Sequence, residues 1–350
     1  MYGQGKTRGS VGYLTISAAS NQNAGIMHDT RIGFPKFIFW WFIGNYNSIR
    51  QLGNVSAIPN LNGEIVKNIP IPLPKLQEQQ AIASYLDTKT QAIDKKARLL
   101  HQKIDYYTEL RKSIINDAVT KGLDRDVELK GSEIGIDIPK RWTRHRLKDI
   151  GNLYSGLSGK SGDDFRQDVH EHNKGYIPFA NIAGNTYIAE DNIGKVVVEP
   201  TERQNQVRKG DVFFLMSSEG YEDIGKSSVL DKDLGETYLN SFCKGYRLKS
   251  DKHNPHFINY LLLSDSYRHL LIVEGKGFTR INLKMEKVND FFIHIPPTKA
   301  EQTEIAKYLD DKTNTIEAII TNIETQIDHL AALRKTLIND VVTGKIKVVE

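Results

Sequence analysis

The stretch IPLPKLQEQQAIASYLDTKTQAID, Ile71–Asp94, returns in altered form as IPPTKAEQTEIAKYLDDKTNTIEA, Ile295–Ala318. Shifting the chain by 223 residues lays Glu78–Thr120 over Glu301–Thr343 without a gap. Roughly 20 of these 43 positions are identical, which marks an internal duplication. YLD falls on YLD, LRK at Leu110 falls on LRK at Leu333, and IND at Ile115 falls on IND at Ile338.

Each copy reads as one long helix. Pro70, Pro72 and Pro74 precede the first and Pro296 and Pro297 the second, and proline favours extended chain just before a helix start. Neither copy holds an internal Gly or Pro, and Gly122 and Gly344 stand where a C-terminal cap belongs. Ile316, Ile320, Ile323, Ile327, Leu330, Leu337 and Val341 follow four-three spacing, matched in the first copy by Ile93, Ala97, Leu100, Ile104, Tyr107, Ile114 and Ala118. That spacing is a coiled-coil seam. Arg111 and Arg334 interrupt it at equivalent places, where they set register or pair with the partner helix. A helix of this length runs about 65 Å, the length of a spacer. The first helix sums to about +2 and the second to about −4, so the two complement each other. An antiparallel pair within one chain is the expected arrangement.

Fainter matches extend upstream. PKFIFWWF at Pro35 matches PHFINYLL at Pro255, GSVGYL at Gly9 lies over GKSSVL at Gly225, and Met1 lies over Met216. The plan is a globular domain (1–77), a long helix (78–121), an acidic linker (122–138), a second globular domain (139–297), and a second long helix with its tail (298–350). Runs such as DVFFLM and KVVVE beside the helical PHFINYLLLSDSYRHLL make the second domain α+β, with the glycine-rich loops SGLSGKSGDD, SSEGYEDIGKSS and EGKGFTRI between them. The first domain matches only from about 77 residues into the pattern of the second, so it reads as partial, with apolar surface expected around Phe39, Trp40 and Trp41.

Composition sets bounds. The 350 residues are 39% hydrophobic and 26% charged, ordinary for a globular chain. One cysteine, Cys243, excludes an internal disulfide framework and fits a reducing cytosol. The longest apolar run, FIFWWFI at Phe37–Ile43, is too short to span a bilayer, and no export leader opens the chain. The net charge of +4 permits nucleic acid as a partner, and residues 1–77 carry about +5 of it.

Two diverged domains, each followed by a near-identical long helix, resemble the specificity subunit of type I restriction–modification systems. The helix entries IPIPLPKLQEQQAIASYLD and IPPTKAEQTEIAKYLD carry the resemblance, as does the linker VTKGLDRDVELKGSEIGIDIPKRW. YGQGKTRGSVG followed by SNQNAGI resembles the interior of a first target-recognition domain. The resemblance implies a non-catalytic subunit in which each recognition domain reads one half of a split site on double-stranded DNA. It also implies helices that fix the spacing and dock two modification subunits. Those subunits carry S-adenosylmethionine and methylate adenine, and a restriction subunit cleaves. No cofactor is then expected on this chain.

The residues themselves give an enzyme little support. The only Pro-Pro, in IPPT at Ile295, lacks the flanks of an amino-methyltransferase loop, and no phosphate-cradling Gly-x-x-x-x-Gly-Lys-Ser/Thr occurs. DVELK at Asp126 holds a Glu-x-Lys piece found in nucleases, but within a charged linker. HEH at His170 has no Cys or His cluster to complete a metal site, and Cys243 reads as a buried small residue. The competing readings are a coiled-coil scaffold without DNA recognition and a silent or truncated recombination-cassette product.

Candidate DNA-contacting residues are the polar and basic groups of the glycine-rich loops, where the missing Cβ lets backbone approach a ligand. They are Ser158, Lys160, Arg166, Tyr221, Lys226, Lys276, Thr279 and Arg280 in the second domain, and Gln4, Lys6, Thr7 and Arg8 in the first. Arg280 stands out because its counterpart is the neutral Ala57, and a residue that differs between two copies of one frame is a candidate for reading sequence.

Overall fold

The structure, a computed structural model, describes every residue except 2, 23, 28–32, 53–59, 166–169, 278, 349 and 350. The chain divides into two units, Met1–Tyr106 with Ala318–Glu350, and Tyr107–Glu317. Each long helix is divided between the two units.

In the first unit, Pro35 opens α1 (Pro35–Gly44) at a position where its fixed φ suits a helix start. Then follow α2 (Tyr46–Leu52), α3 (Gly63–Lys67), whose N-terminal Ile65 N–H is accepted by the Asn62 side chain at 2.9 Å, and the long α4 (Leu76–Lys121). The first half of α4 presents Ile82, Ala83 and Leu86 to Phe37, Trp40, Trp41 and Phe42 of α1, and Ile338, Val341 and Val342 of the second long helix close the same core. Gly44 has a reason: a Cβ there would lie 2.8 Å from the Val342 side chain. The expected exposure of Phe39, Trp40 and Trp41 is therefore corrected. Trp40 and Trp41 are buried and Phe39 half-buried, because the two long helices cover them. Apolar side chains exposed in this unit include instead Leu14, Ile16 and Ile26, and on the long helices Leu76, Leu99 and Leu333. Among its described residues no strand forms, and Leu14 is 64% exposed where the aligned Leu230 of the second domain is 1%.

The second unit begins with a hairpin of β1 (Leu129–Gly131) and β2 (Asp137–Pro139), followed by β3 (Thr143–Arg146), α5 (Leu147–Ile150) and β4 (Gly151–Ser155). Next come β5 (Asn173–Ile177), α6 (Phe179–Gly184), β6 (Gly194–Val197), β7 (Val212–Leu215) and β8 (Ser217–Ser218). The domain continues through β9 (Ser227–Val229), β10 (Thr237–Leu239), β11 (Cys243–Leu248), α7 (Pro255–Leu263) and α8 (Asp265–Ile272). It ends with β12 (Ile281–Asn282), α9 (Met285–Asn289), β13 (Phe292–Ile295) and the second long helix, α10 (Lys299–Val342). One four-stranded antiparallel sheet runs in the order β4-β11-β7-β9, and a three-stranded sheet runs β10-β5-β6. All four residues of β7 are buried, which explains the unbroken apolar run VFFL: both faces of the strand meet core.

The duplicated phrase performs the same work in both units. Leu86 and Leu309 of YLD are fully buried, and the acid that follows accepts hydrogen bonds from side chains packed across it. Asp87 accepts from Trp40 Nε1 at 3.0 Å and from Lys36, and Asp310 accepts from Tyr260 OH at 2.8 Å and from Tyr187 OH. The glutamine of EQ is buried in both copies. Gln79 accepts from the Phe34 amide and donates to the Pro74 carbonyl, as Gln302 does with Asn254 and Pro296. Gly122 and Gly344 take φ of +79° and +77° at the two helix ends, as the sequence predicts.

The two long helices pair antiparallel in each unit. Arg334 reaches Asp94 at 2.9 Å in the first unit and Arg111 reaches Glu317 at 3.9 Å in the second. Shifted by 223 residues, Asp94 becomes Glu317 and Arg111 becomes Arg334, so the two pairs are one contact made twice. The arginines that interrupt the seam thus pair with the partner helix.

Candidate functional site

Strand direction decides where the glycine-rich loops of the second unit lie. In the sheet β4-β11-β7-β9, Ser155 pairs with Lys244, Leu215 with Cys243 and Phe214 with Ser227. The C-terminal ends of β4 and β7 therefore meet the N-terminal ends of β11 and β9. The loop after β4, which carries Ser158 and Lys160, and the loop between β8 and β9, which carries Tyr221 and Lys226, leave from this one end. The short pairing of β8 with β12 brings Lys276, Thr279 and Arg280 to it as well.

Two of these loops are held through hydrogen bonds to their backbone groups. Arg268 of α8 is buried and donates to the carbonyls of Ile224 and Glu222, the latter at 2.8 Å, fixing the second loop from beneath. Burial lowers the pKa of the Arg268 guanidinium, but two carbonyl acceptors satisfy its donors. Lys276 and Asn282 exchange backbone hydrogen bonds of 3.1 and 2.9 Å across the third loop. Gly277, at φ +148°, is required there, since a Cβ would lie 1.9 Å from the Arg280 carbonyl oxygen. The first unit holds its turn in the same way: Arg50 of α2 donates to the Lys6 carbonyl at 2.8 Å, and Gly9 takes φ +85° where Gly225 takes +69°.

The individual side chains divide into three groups. Tyr221, Lys276, Thr279, Arg280 and Ser158 are exposed, and so are Gln4, Lys6 and Thr7 of the first unit. Lys160, Lys226 and Arg8 are engaged inside the protein: Lys160 with Glu202, Lys226 with Asp223 at 2.7 Å, and Arg8 with the Arg50 carbonyl at 3.1 Å. Hydrogen bonds from Lys160 and Gln204 hold the Glu202 carboxyl down to about 2. Arg166 lies outside the described residues, as does Ala57, the counterpart of Arg280.

One residue of this end was not singled out from the sequence. Phe242 sits in the turn between β10 and β11, its amide donating to Asn240 Oδ1 at 2.9 Å, and it is 50% exposed. The guanidinium of Arg280 lies 5.0 Å from its ring centroid. The signal was an aromatic directly after an Asn-Ser turn, which the neighbouring Cys243 made look like core. Cys243 is indeed buried, and burial pushes its thiol up to about 12. A polar cleft lined by Asn152, Gln204, Asn205, Arg208 and Lys249 also has no signal in the sequence.

Similarity to known proteins follows the same architecture. The specificity subunit of the type I restriction enzyme MjaVIII from Methanocaldococcus jannaschii is 28% identical over 300 residues, covering 84% of this chain and 66% of that protein. The EcoBI specificity subunit of Escherichia coli is 22% identical over 314 residues, covering 85% and 62%. The chain thus spans about two thirds of the length of these curated relatives. Among solved structures, one from work on assembly and conformational transition of the type I R-M system superposes with a TM-score of 0.70 at 17% identity, covering 92% of this chain and 74% of that one. The HsdS subunit from Thermoanaerobacter tengcongensis gives 0.55 at 16%, covering 90% and 72%, and shares the fold. The family described as Type I restriction modification DNA specificity domain matches residues 2–104 and 139–329, taking in both globular parts and most of both long helices. The match spans well over half of the chain, across both copies of the domain-and-helix plan, and the chain belongs to this family.

Proposed function

We propose that this chain is the DNA-reading specificity subunit of a type I restriction–modification complex. The second domain reads one part of a double-stranded target through the loops at the end of its four-stranded sheet. The observation that carries this reading is the convergence of three glycine-rich loops there, with Lys276 and Arg280 exposed and, among the described residues, without an acidic partner at ion-pair distance. A fixed arginine fork suits the two major-groove acceptors of guanine, whereas a lysine is a point charge suited to phosphate. The antiparallel helices serve as spacer and as the dock for modification subunits, which bring S-adenosylmethionine; a restriction subunit cleaves. The chain itself binds no cofactor and performs no chemistry in this reading. No helix of the described residues is long and apolar enough to cross a membrane.

The experiment is selection from a random duplex library, with the chain alone and co-expressed with its modification subunits. A defined motif is expected. Arg280→Ala should relax one base of it, and Lys276→Ala should weaken all sequences alike and reduce the salt slope by about 1. A scaffold would enrich no sequence in either format.

A further inference from the structure

Arg280 has a donor geometry able to read a base, but a four-bond side chain in water does not hold its fork in one place. Ordering such a side chain costs about 2 kcal/mol of rotamer entropy, which a reading contact would otherwise have to offset. The structure supplies a platform. Phe242 projects from a turn fixed on both sides, with the Cys243 amide bonded to the Asn240 carbonyl at 3.1 Å and the Met216 amide to the Phe242 carbonyl at 3.3 Å. The ring is half-exposed, yet Arg280 lies over it from a loop whose backbone Gly277 and Asn282 fix. A planar guanidinium stacked on an aromatic face keeps its N–H edges pointing outward. Phe242 directly precedes β11, which lies between β4 and β7, so this pair sits at the middle of the sheet end where the loops gather.

The rest of the cleft narrows the ligand. It encloses about 380 Å³ and presents Ser217, Ser218, Glu219 and Glu222 beside Phe242 and Arg280. Carboxylates repel phosphate, so this is a poor place for backbone contact. They are suitable acceptors for an exocyclic amino group, and cytosine N4 is the donor that lies beside guanine O6 and N7 in the major groove. Guanidinium and carboxylate in one cleft therefore complement both halves of a G·C pair.

We propose that Phe242 is a positioning residue that holds Arg280 over a G·C base pair of the target, with Glu219 or Glu222 accepting from the cytosine amino group. The proposal rests on the DNA-reading function above. The test is library selection with the chain and its modification subunits, comparing wild type, Arg280→Ala, Phe242→Leu and Phe242→Tyr, each at several salt concentrations. Wild type should prefer G·C at one position by roughly 5- to 150-fold, and Arg280→Ala should lose that preference. Phe242→Leu, which keeps apolar bulk but no ring face, should weaken preference at the same position by about 2- to 5-fold with an unchanged salt slope. Phe242→Tyr should retain it. A wild-type motif left intact by Phe242→Leu, weakened uniformly by it, or carrying A·T at the Arg280 position overturns this inference alone. A wild type that enriches no sequence overturns the DNA reading, and this inference with it.

Discussion

Replacing Asp310 with alanine should destabilise the second unit by about 2–4 kcal/mol. The carboxylate accepts hydrogen bonds from Tyr260 OH at 2.8 Å and from Tyr187 OH, and the Tyr260 ring is 1% exposed. A hydrogen bond to a charged acceptor contributes about 1.5–3 kcal/mol, and a buried hydroxyl left without a partner costs about 1–3. The two are not lost in full. Tyr260 OH retains Thr313 Oγ1 at 3.2 Å, and Tyr187 OH keeps only a distant His256 Nδ1 at 3.5 Å, so the total falls below the simple sum. Asp87→Ala, the equivalent change in the first unit, should cost less, about 1–2 kcal/mol. There one of the two donors is Lys36, whose side chain is 35% exposed and can turn to water. Urea unfolding at unchanged m gives both values, with fluorescence of Trp142 reporting the second unit and Trp40 and Trp41 the first. Asp310→Asn, which keeps an acceptor oxygen, should recover part of the loss. A cost under about 0.5 kcal/mol for Asp310→Ala, or a larger cost for Asp87→Ala, would refute the account of why YLD recurs.

Other consequences are more local. Arg334→Ala and Asp94→Ala should show a coupling of about 0.2–1 kcal/mol in a double-mutant cycle, as for a largely solvated pair; zero coupling would mean the register rests on the apolar seam alone. Cys243, raised to about 12 by burial, should resist alkylation at pH 8 in the folded chain and react on unfolding. Glu202 is depressed in the folded state to about 2, so its stabilising effect is present above its ordinary value near 4.5 and lost as pH falls from there towards 2. Glu202→Gln should therefore flatten that part of the acid-stability curve, and an unchanged curve would count against the Lys160 contact.

The helices were legible because helical periodicity is local and was written twice. The ends at Gly122 and Gly344, the antiparallel pairing and the arginines in the seam all follow from spacing and charge. What the sequence hid was long-range. Lys160 looks like a loop lysine ready for phosphate, and nothing near it announces Glu202, 42 residues on, which takes it into an ion pair. FWWF looked like surface awaiting cover because its cover, Ile338, Val341 and Val342, comes from the far end of the chain. Phe242 was passed over for a related reason: whether an aromatic in a turn points inward or outward depends on which strands flank it. The convergence of the loops likewise needed the strand order β4-β11-β7-β9, which pattern alone does not give.

The most direct test of the central claim is the ratio of dissociation constants for a selected target and a scrambled duplex of the same composition, measured at one physiological salt concentration with the modification subunits present. A specificity subunit should give a ratio of about 10³ or more. A ratio near one, with both affinities falling equally steeply as salt rises, would leave only phosphate binding and contradict the claim that this chain reads DNA sequence.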